Sequence, residues 1–315
     1  MNLTTIFLQT LETTLPVFVM VFIGIGLRRI GWIDGAFVNT ASGLVFKGTL
    51  PTLVFLGIIR ADLQTTLNPG LLLFYALATL AGFGFAWLWA LWRVRPEDRG
   101  VYVQGAFRGN CGIVGLALAA SLYGDYGLSA GALLLGLVIV AYNVLSVIVL
   151  TAYRPGQSAS WKKILRDIAR NPLILSVVVA IPFAWFEVQL PNWVLTSGDY
   201  FASLTLPLAL LCVGATISLT SIRADTATAA SSSMMKMIIL PVLCTGAAWL
   251  LGFRGEQLGL MFTFFASPTA AASFVMVKAL GGNEKLAANI IALTTLMASL
   301  TVTLGIFALR SAGVI

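Results

Sequence analysis

The feature that most constrains this chain is a succession of apolar runs near the length of a membrane crossing. A helix needs about 20 apolar residues to cross the ~30 Å hydrocarbon layer. Helix is the default there, because lipid offers no partner to open backbone groups. Runs near 5–27, 38–59, 69–92, 100–123, 127–152, 172–187, 197–219, 234–252, 256–280 and 286–309 meet that condition, the sixth being short. They predict an all-α membrane protein of ten transmembrane helices. Composition agrees: 59% of residues are hydrophobic and 10% charged, against about a quarter charged in soluble domains. The first run opens Met1-Asn2-Leu3-Thr4 without a basic n-region, so it reads as a retained span and not a cleaved signal.

Absences exclude much chemistry. With no histidine in 315 residues, Ser-His-Asp and Cys-His nucleophilic sites, HExxH zinc sites and histidine proton relays are ruled out. Cys111, Cys212 and Cys244 all fall inside apolar runs and form no CxxC pair, so neither a disulfide framework nor a zinc site is expected. No DDxxD-like carboxylate cluster is present, which argues against a magnesium-dependent prenyl transferase. No catalytic residue, metal or cofactor is expected.

The +7 net charge is explained by topology, not by nucleic acid. With the N-terminus outside, the odd-numbered connections face the cytoplasm. They carry Arg28, Arg29, Arg93, Arg95, Arg99, Arg154, Lys162, Lys163, Arg166, Arg170, Arg223, Lys236, Lys278 and Lys285, 14 cations. The other side carries three, Arg60, Arg254 and Arg310. This split obeys the positive-inside rule and puts both termini on the periplasmic or extracellular face of an inner membrane. Lys47 and Arg108 are left over, inside spans two and four.

The landmarks repeat at half the chain length. Thr49-Leu50-Pro51 returns as Thr205-Leu206-Pro207 after 156 residues, each followed by a glycine, Gly57 and Gly214. Gly124-Asp125 closes span four and Gly281-Gly282 closes span nine, 157 residues later. Five spans per half invert the second half, which predicts a 5+5 inverted repeat of the kind found in secondary transporters. Residues 1–152 form the first repeat, 153–171 a basic cytoplasmic linker, and 172–315 the second repeat. Chance similarity of Leu-rich helices is the competing explanation.

Transporters of this type place the substrate at broken helices near the midplane. Span four carries Gly105, Gly109, Gly112 and Gly115 around its centre, each weakening helix by about 1 kcal/mol relative to alanine. Span nine carries Ser267-Pro268-Thr269 at its centre, and Pro268 removes an internal hydrogen bond. Small-residue packing or a plain kink explains either segment alone, whereas the matched pair points to a crossover site. Asn110 can donate and accept at the midplane without burying a charge, or it serves as a helix–helix bond. Cys111 and Gly112 continue the break. Ser267 and Thr269 line it or bond back to their own helix. Asn143 lines the cavity or joins helices.

A cation inside a span marks a functional site by default. Arg108 lies roughly 12 Å from its cytoplasmic helix end at 1.5 Å per residue, so it attracts anions or snorkels. Lys47 lies near the middle of span two, attracting anions or pairing with another helix. No Asp or Glu falls near either break, which argues against a cation antiporter.

Taken together, Thr49-Leu50-Pro51 with Phe55 and Gly57, Phe107-Arg108-Gly109-Asn110 with Gly112 and Gly115, Leu206-Pro207 with Gly214, and Ser267-Pro268-Thr269-Ala270 with Gly281-Gly282 resemble the auxin efflux carrier family. That family includes bacterial permeases and the plant PIN proteins. The likeness runs the whole chain, without the long cytoplasmic loop of many plant members. It implies the fold of the bile-acid:sodium symporters. Helices 1, 2, 6 and 7 would form a scaffold, often homodimeric, and helices 3–5 and 8–10 a mobile bundle with crossed helices four and nine. It also implies small organic anions as substrates, among them malate, malonate and auxin-like carboxylates. Asn110 matches the family's substrate-contacting asparagine and Pro268 its crossover proline. Span four departs in having no proline at its break, and Ala117 stands where many relatives have one.

The expectation is therefore a bacterial inner-membrane carrier of small carboxylates working by alternating access. The alternatives are a sodium-coupled organic anion symporter of the bile-acid type and a channel. The expected binding residues are Asn110, Cys111, Gly112, Ser267, Pro268, Thr269, Arg108, Lys47 and Asn143. Its partners are the anion, the lipid bilayer and a second copy of itself.

Overall fold

The computed structural model describes residues 2–61, 68–153, 161–217 and 226–315. Their main elements are all helices: α1 (Leu3–Arg29), α2 (Gly35–Ile59), α3 (Pro69–Arg93), α4 (Arg99–Phe107), α5 (Cys111–Ala152), α6 (Trp161–Ala169), α7 (Pro172–Trp185), α8 (Asn192–Thr216), α9 (Ala227–Leu250), α10 (Gly255–Phe265), α11 (Ala272–Ala279) and α12 (Glu284–Ser311). Asp34, Asn68, Asn171 and Asn283 each accept a hydrogen bond from a first-turn N–H and so cap α2, α3, α7 and α12, as short polar side chains do at helix starts. Pro69 and Pro172 occupy first helical positions, where the missing N–H costs nothing.

Seven helices among the described residues are long and apolar enough to cross a membrane: α1, α2, α3, α5, α8, α9 and α12. The sequence expectation of ten differs at particular places. The runs 100–123 and 256–280 are each interrupted, between α4 and α5 and between α10 and α11. The run 127–152 shares α5 with the end of span four, and α7 is 14 residues long. At 42 residues, a straight α5 would be about twice the membrane's thickness. It is not straight. Gly124 has φ 53° and ψ −129°, a conformation open to glycine and costly to other residues. The two legs fold back there, bringing Gly127 directly onto the backbone of Ala119.

The linker expected at 153–171 contains a helix, α6. Residues 154–160, with Arg154, and residues 218–225, with Arg223, lie outside the described residues.

Between membrane helices there is no hydrophobic drive to associate, so close backbone packing carries much of the adhesion. α1 meets α8 in this way. A Cβ at Gly24 would collide with the Leu211 backbone, and one at Gly214 with Val21. α2 packs on α7 and α8, whereas α4 packs on α3, α5, α9 and α12. Hydroxyl-to-carbonyl bonds tie further pairs together, from Ser129 Oγ to Gly57 O at 2.8 Å and from Ser232 Oγ to Tyr102 O at 3.0 Å. The outer surface carries exposed large apolar side chains, with Trp32, Trp92, Trp185 and Trp193 among the most exposed at helix ends. That placement is where amphipathic rings meet the membrane–water boundary.

Candidate functional site

The two interruptions meet each other. The Asn110 N–H donates to Pro268 O at 2.7 Å and the Ala270 N–H donates to Arg108 O at 3.2 Å. The result is an isolated antiparallel bridge between Gly109 and Thr269. Backbone released by breaking a helix at membrane depth must find new partners, and here each broken segment supplies them to the other. Span four breaks without a proline of its own. Beyond the bridge the chain re-enters helix at Cys111 on one side and at Ala272 on the other. The first N–H groups of a helix lack intrahelical partners and carry partial positive charge.

Both new N-termini open onto a cavity of about 620 Å³, within the size range of small-molecule sites. Its wall is mostly apolar, with Val45, Phe46 and Leu50 of α2, Leu135 and Val138 of α5, and Val213 of α8. Four polar residues gather at the bridge, Arg108, Asn110, Tyr142 and Asn143, with Cys111 and Gly112 completing the edge; Ser42, Asn171 and Thr216 line the cavity elsewhere. Five of the expected site residues, Arg108, Asn110, Cys111, Gly112 and Asn143, are thus brought together.

Arg108 is buried, at 8% exposure. Its guanidinium donates to Asn143 Oδ1 at 2.9 Å, Ser146 Oγ at 3.1 Å and Tyr142 O at 3.3 Å. Nε has no partner among the described residues, and no carboxylate pairs with Arg108 there. All its oxygen partners are neutral, so its positive charge is not cancelled. A buried cation without a counter-ion is expensive unless something anionic visits. The expected alternative, snorkelling to the headgroups, does not occur.

Asn110 is also 8% exposed, and its side-chain amide bonds to no protein group among the described residues. Buried polar groups are nearly always paired, so an amide lining a cavity without a partner is poised for a ligand. Behind this edge Tyr75 stacks on Phe265 with centroids 4.3 Å apart. Phe107 meets Tyr142 edge-on at 5.5 Å. These rings fix the wall that carries Arg108 and Asn110.

Ser267, Pro268 and Thr269 lie behind the cavity and do not line it. Ser267 Oγ donates back to Thr263 O at 2.7 Å, and Thr269 Oγ1 donates to Gly105 O at 2.7 Å. The Thr269 hydroxyl thus helps to hold the bridge, whereas that of Ser267 is spent on its own helix. Lys47 stands apart. Its neighbours Val45 and Phe46 line the cavity, yet Lys47 is exposed on the outer side of α2.

One residue of the region escaped sequence reasoning. Lys236, counted among the cytoplasmic cations, is 2% exposed inside α9. Its Nζ donates to Phe265 O at 2.9 Å. The signal was its position within the apolar run 234–252, which a tally of charges by connection overlooks. Asn171 and Met276 also line the cavity and carried no signal in the sequence.

With this geometry in hand, the comparisons with known proteins add a consistent result. The family described as membrane transport protein matches residues 9–306. A protein of Methanothermobacter thermautotrophicus named an uncharacterized transporter is 25% identical over 286 residues, 86% of this chain and 89% of its own. Another with that designation, from Methanocaldococcus jannaschii, is 21% identical over 302 residues, 93% of this chain and 97% of its own. A Rhizobium meliloti protein named a "putative malonate transporter" is 27% identical over 309 residues, 94% of this chain and 95% of its own.

Proposed function

The chain belongs to the membrane transport protein family, the auxin efflux carriers, and is a membrane transporter; on that premise we propose that it carries small organic anions, carboxylates of the malonate, malate or auxin-like kind. The observation that supports this most is the polar edge of the cavity. There a buried guanidinium that pairs with no carboxylate among the described residues, an amide that bonds to no described protein group and two helix N-termini face one space. The guanidinium and the helix N-termini favour an anion, and the amide can donate to one. Among the described residues no Asp or Glu lines the cavity, whereas a cation carrier would require one. The malonate transporter name of one relative points to the same class.

The position of the cavity supports a reading of the movement. Its walls come from α2, α8 and the start of α7 at Asn171 and Leu173 on one side, and from the two interruptions, α5 and α11 on the other. We take the first group, with α1, as the scaffold of a 5+5 inverted repeat. The interrupted helices and their neighbours, spans 3–5 and 8–10, then form the moving bundle, six of ten crossings. With the positive-inside orientation and both termini outside an inner membrane, Ser42, Asn171 and Thr216 mark a mouth toward the cytoplasm. The structure is then the inward-facing state, and sliding the bridge past a dimeric scaffold exposes Asn110 to the other side.

Counterflow in proteoliposomes tests this. Vesicles loaded with unlabelled malonate are expected to accumulate labelled malonate in a transient overshoot that saturates with concentration. Linear, non-saturating flux without overshoot would mark a channel, and no flux with any carboxylate would remove the substrate class.

A further inference from the structure

The buried lysine of α9 has no part in the anion site, yet it sits where interrupted helices commonly need a cation. α10 ends at Phe265 in the protein interior, with a C-terminal end that carries partial negative charge. In broken transport helices such carbonyl ends hold sodium or a proton. Here Phe265 O receives Lys236 Nζ at 2.9 Å. A Cβ at Gly109 would lie 3.1 Å from the same nitrogen, so the ammonium rests against the other interruption as well. Gly109 leaves it the room. The nearby titratable groups are the thiols of Cys111 and Cys244, and no described carboxylate pairs with it. The five-residue π-turn Met235–Ile239 that bears Lys236 is the local distortion often found where a helix presents a functional side chain.

We propose that Lys236 is a tethered cation that takes the place of a bound monovalent metal ion at the interrupted α10–α11, so that substrate movement requires no sodium. An ion bound there would come and go with each cycle; a lysine cannot leave, and it holds the carbonyl end and the bridge together in every state. This makes Lys236 a positioning residue: it acts on Phe265 and Gly109, which set Asn110, and does not touch the cavity. Removing its charge leaves a carbonyl-lined space in which a small cation can bind.

The test uses purified protein in nanodiscs, with thermal midpoints measured in equal concentrations of sodium chloride and choline chloride. The wild type is expected to show the same midpoint in both. Lys236→Ala and Lys236→Gln are expected to melt lower in choline and to recover by about 2–4 °C in sodium, and Lys236→Arg to remain indifferent. In the counterflow assay, wild-type overshoot should be unchanged when choline replaces sodium, while the Lys236→Ala overshoot should fall at least tenfold in choline and be partly restored by sodium. Sodium stabilisation of the wild type, or wild-type counterflow that requires sodium, would overturn the proposal even if neither neutral variant folds. Neutral variants as indifferent to sodium as the wild type would overturn it too. The counterflow arm rests on the carboxylate reading; the thermal arm contains no carboxylate and stands or falls separately.

Discussion

Arg108 and Asn110 divide the work of an anion site between charge and direction. The guanidinium is fixed by Asn143, Ser146 and the Tyr142 carbonyl, so it supplies positive potential from an immobile position. The amide of Asn110 bonds to no described protein group and so can bond a ligand. Arg108→Gln is therefore expected to weaken substrate affinity by roughly 10- to 100-fold, the scale of a lost charge-assisted hydrogen bond. Calorimetric titration or the concentration dependence of counterflow would read it. Arg108→Lys should rescue little, because an ammonium cannot reproduce the fork that reaches three oxygen partners. Affinity within about twofold of wild type in both variants would place the anion elsewhere. Lys47→Gln, by contrast, should leave affinity unchanged, since that side chain faces away from the cavity.

At the scale of elements, the interruptions were the most legible part of the chain. Four glycines around residue 110 and a proline at 268 mark weak helix, and both segments do break. What the residues could not show is how each break is repaired. Pro268 lies before the new helix start at Ala272, so residues 266–271 form an irregular stretch whose groups bind across to α4. Thr269 is consumed by that repair, and the Ser267 hydroxyl by its own helix. The direction of a side chain around a helix was equally hidden. Lys47 and Lys236 both sit in apolar runs, and rotation about the axis sends one outward and the other into the core. Charge counting assigned them the opposite way. The α1–α8 contact gives an element-scale prediction. Gly214→Val places a branched side chain where the Val21 backbone already lies. It is expected to cost about 1–3 kcal/mol, seen as a lower thermal midpoint of the purified protein. An unchanged midpoint would mean that the two helices do not approach as described.

For the whole molecule, topology and movement are linked, because the inward-facing assignment depends on which ends of the helices face the cytoplasm. Single cysteines introduced at Thr4, Lys162 and Ser311 in a chain freed of Cys111, Cys212 and Cys244 provide the check. Thr4→Cys and Ser311→Cys should react with an impermeant thiol reagent from outside intact cells, and Lys162→Cys only after the membrane is opened. The reverse pattern would turn the cavity mouth outward. The central claim, that the cavity edge at the two interruptions holds the carboxylate, is tested most directly by comparing counterflow overshoot in wild type and Asn110→Ala at matched thermal midpoints. Because the amide bonds to no described protein group, the variant should fold with an unchanged midpoint and lose the overshoot. A variant with wild-type overshoot and unaltered affinity would contradict the account.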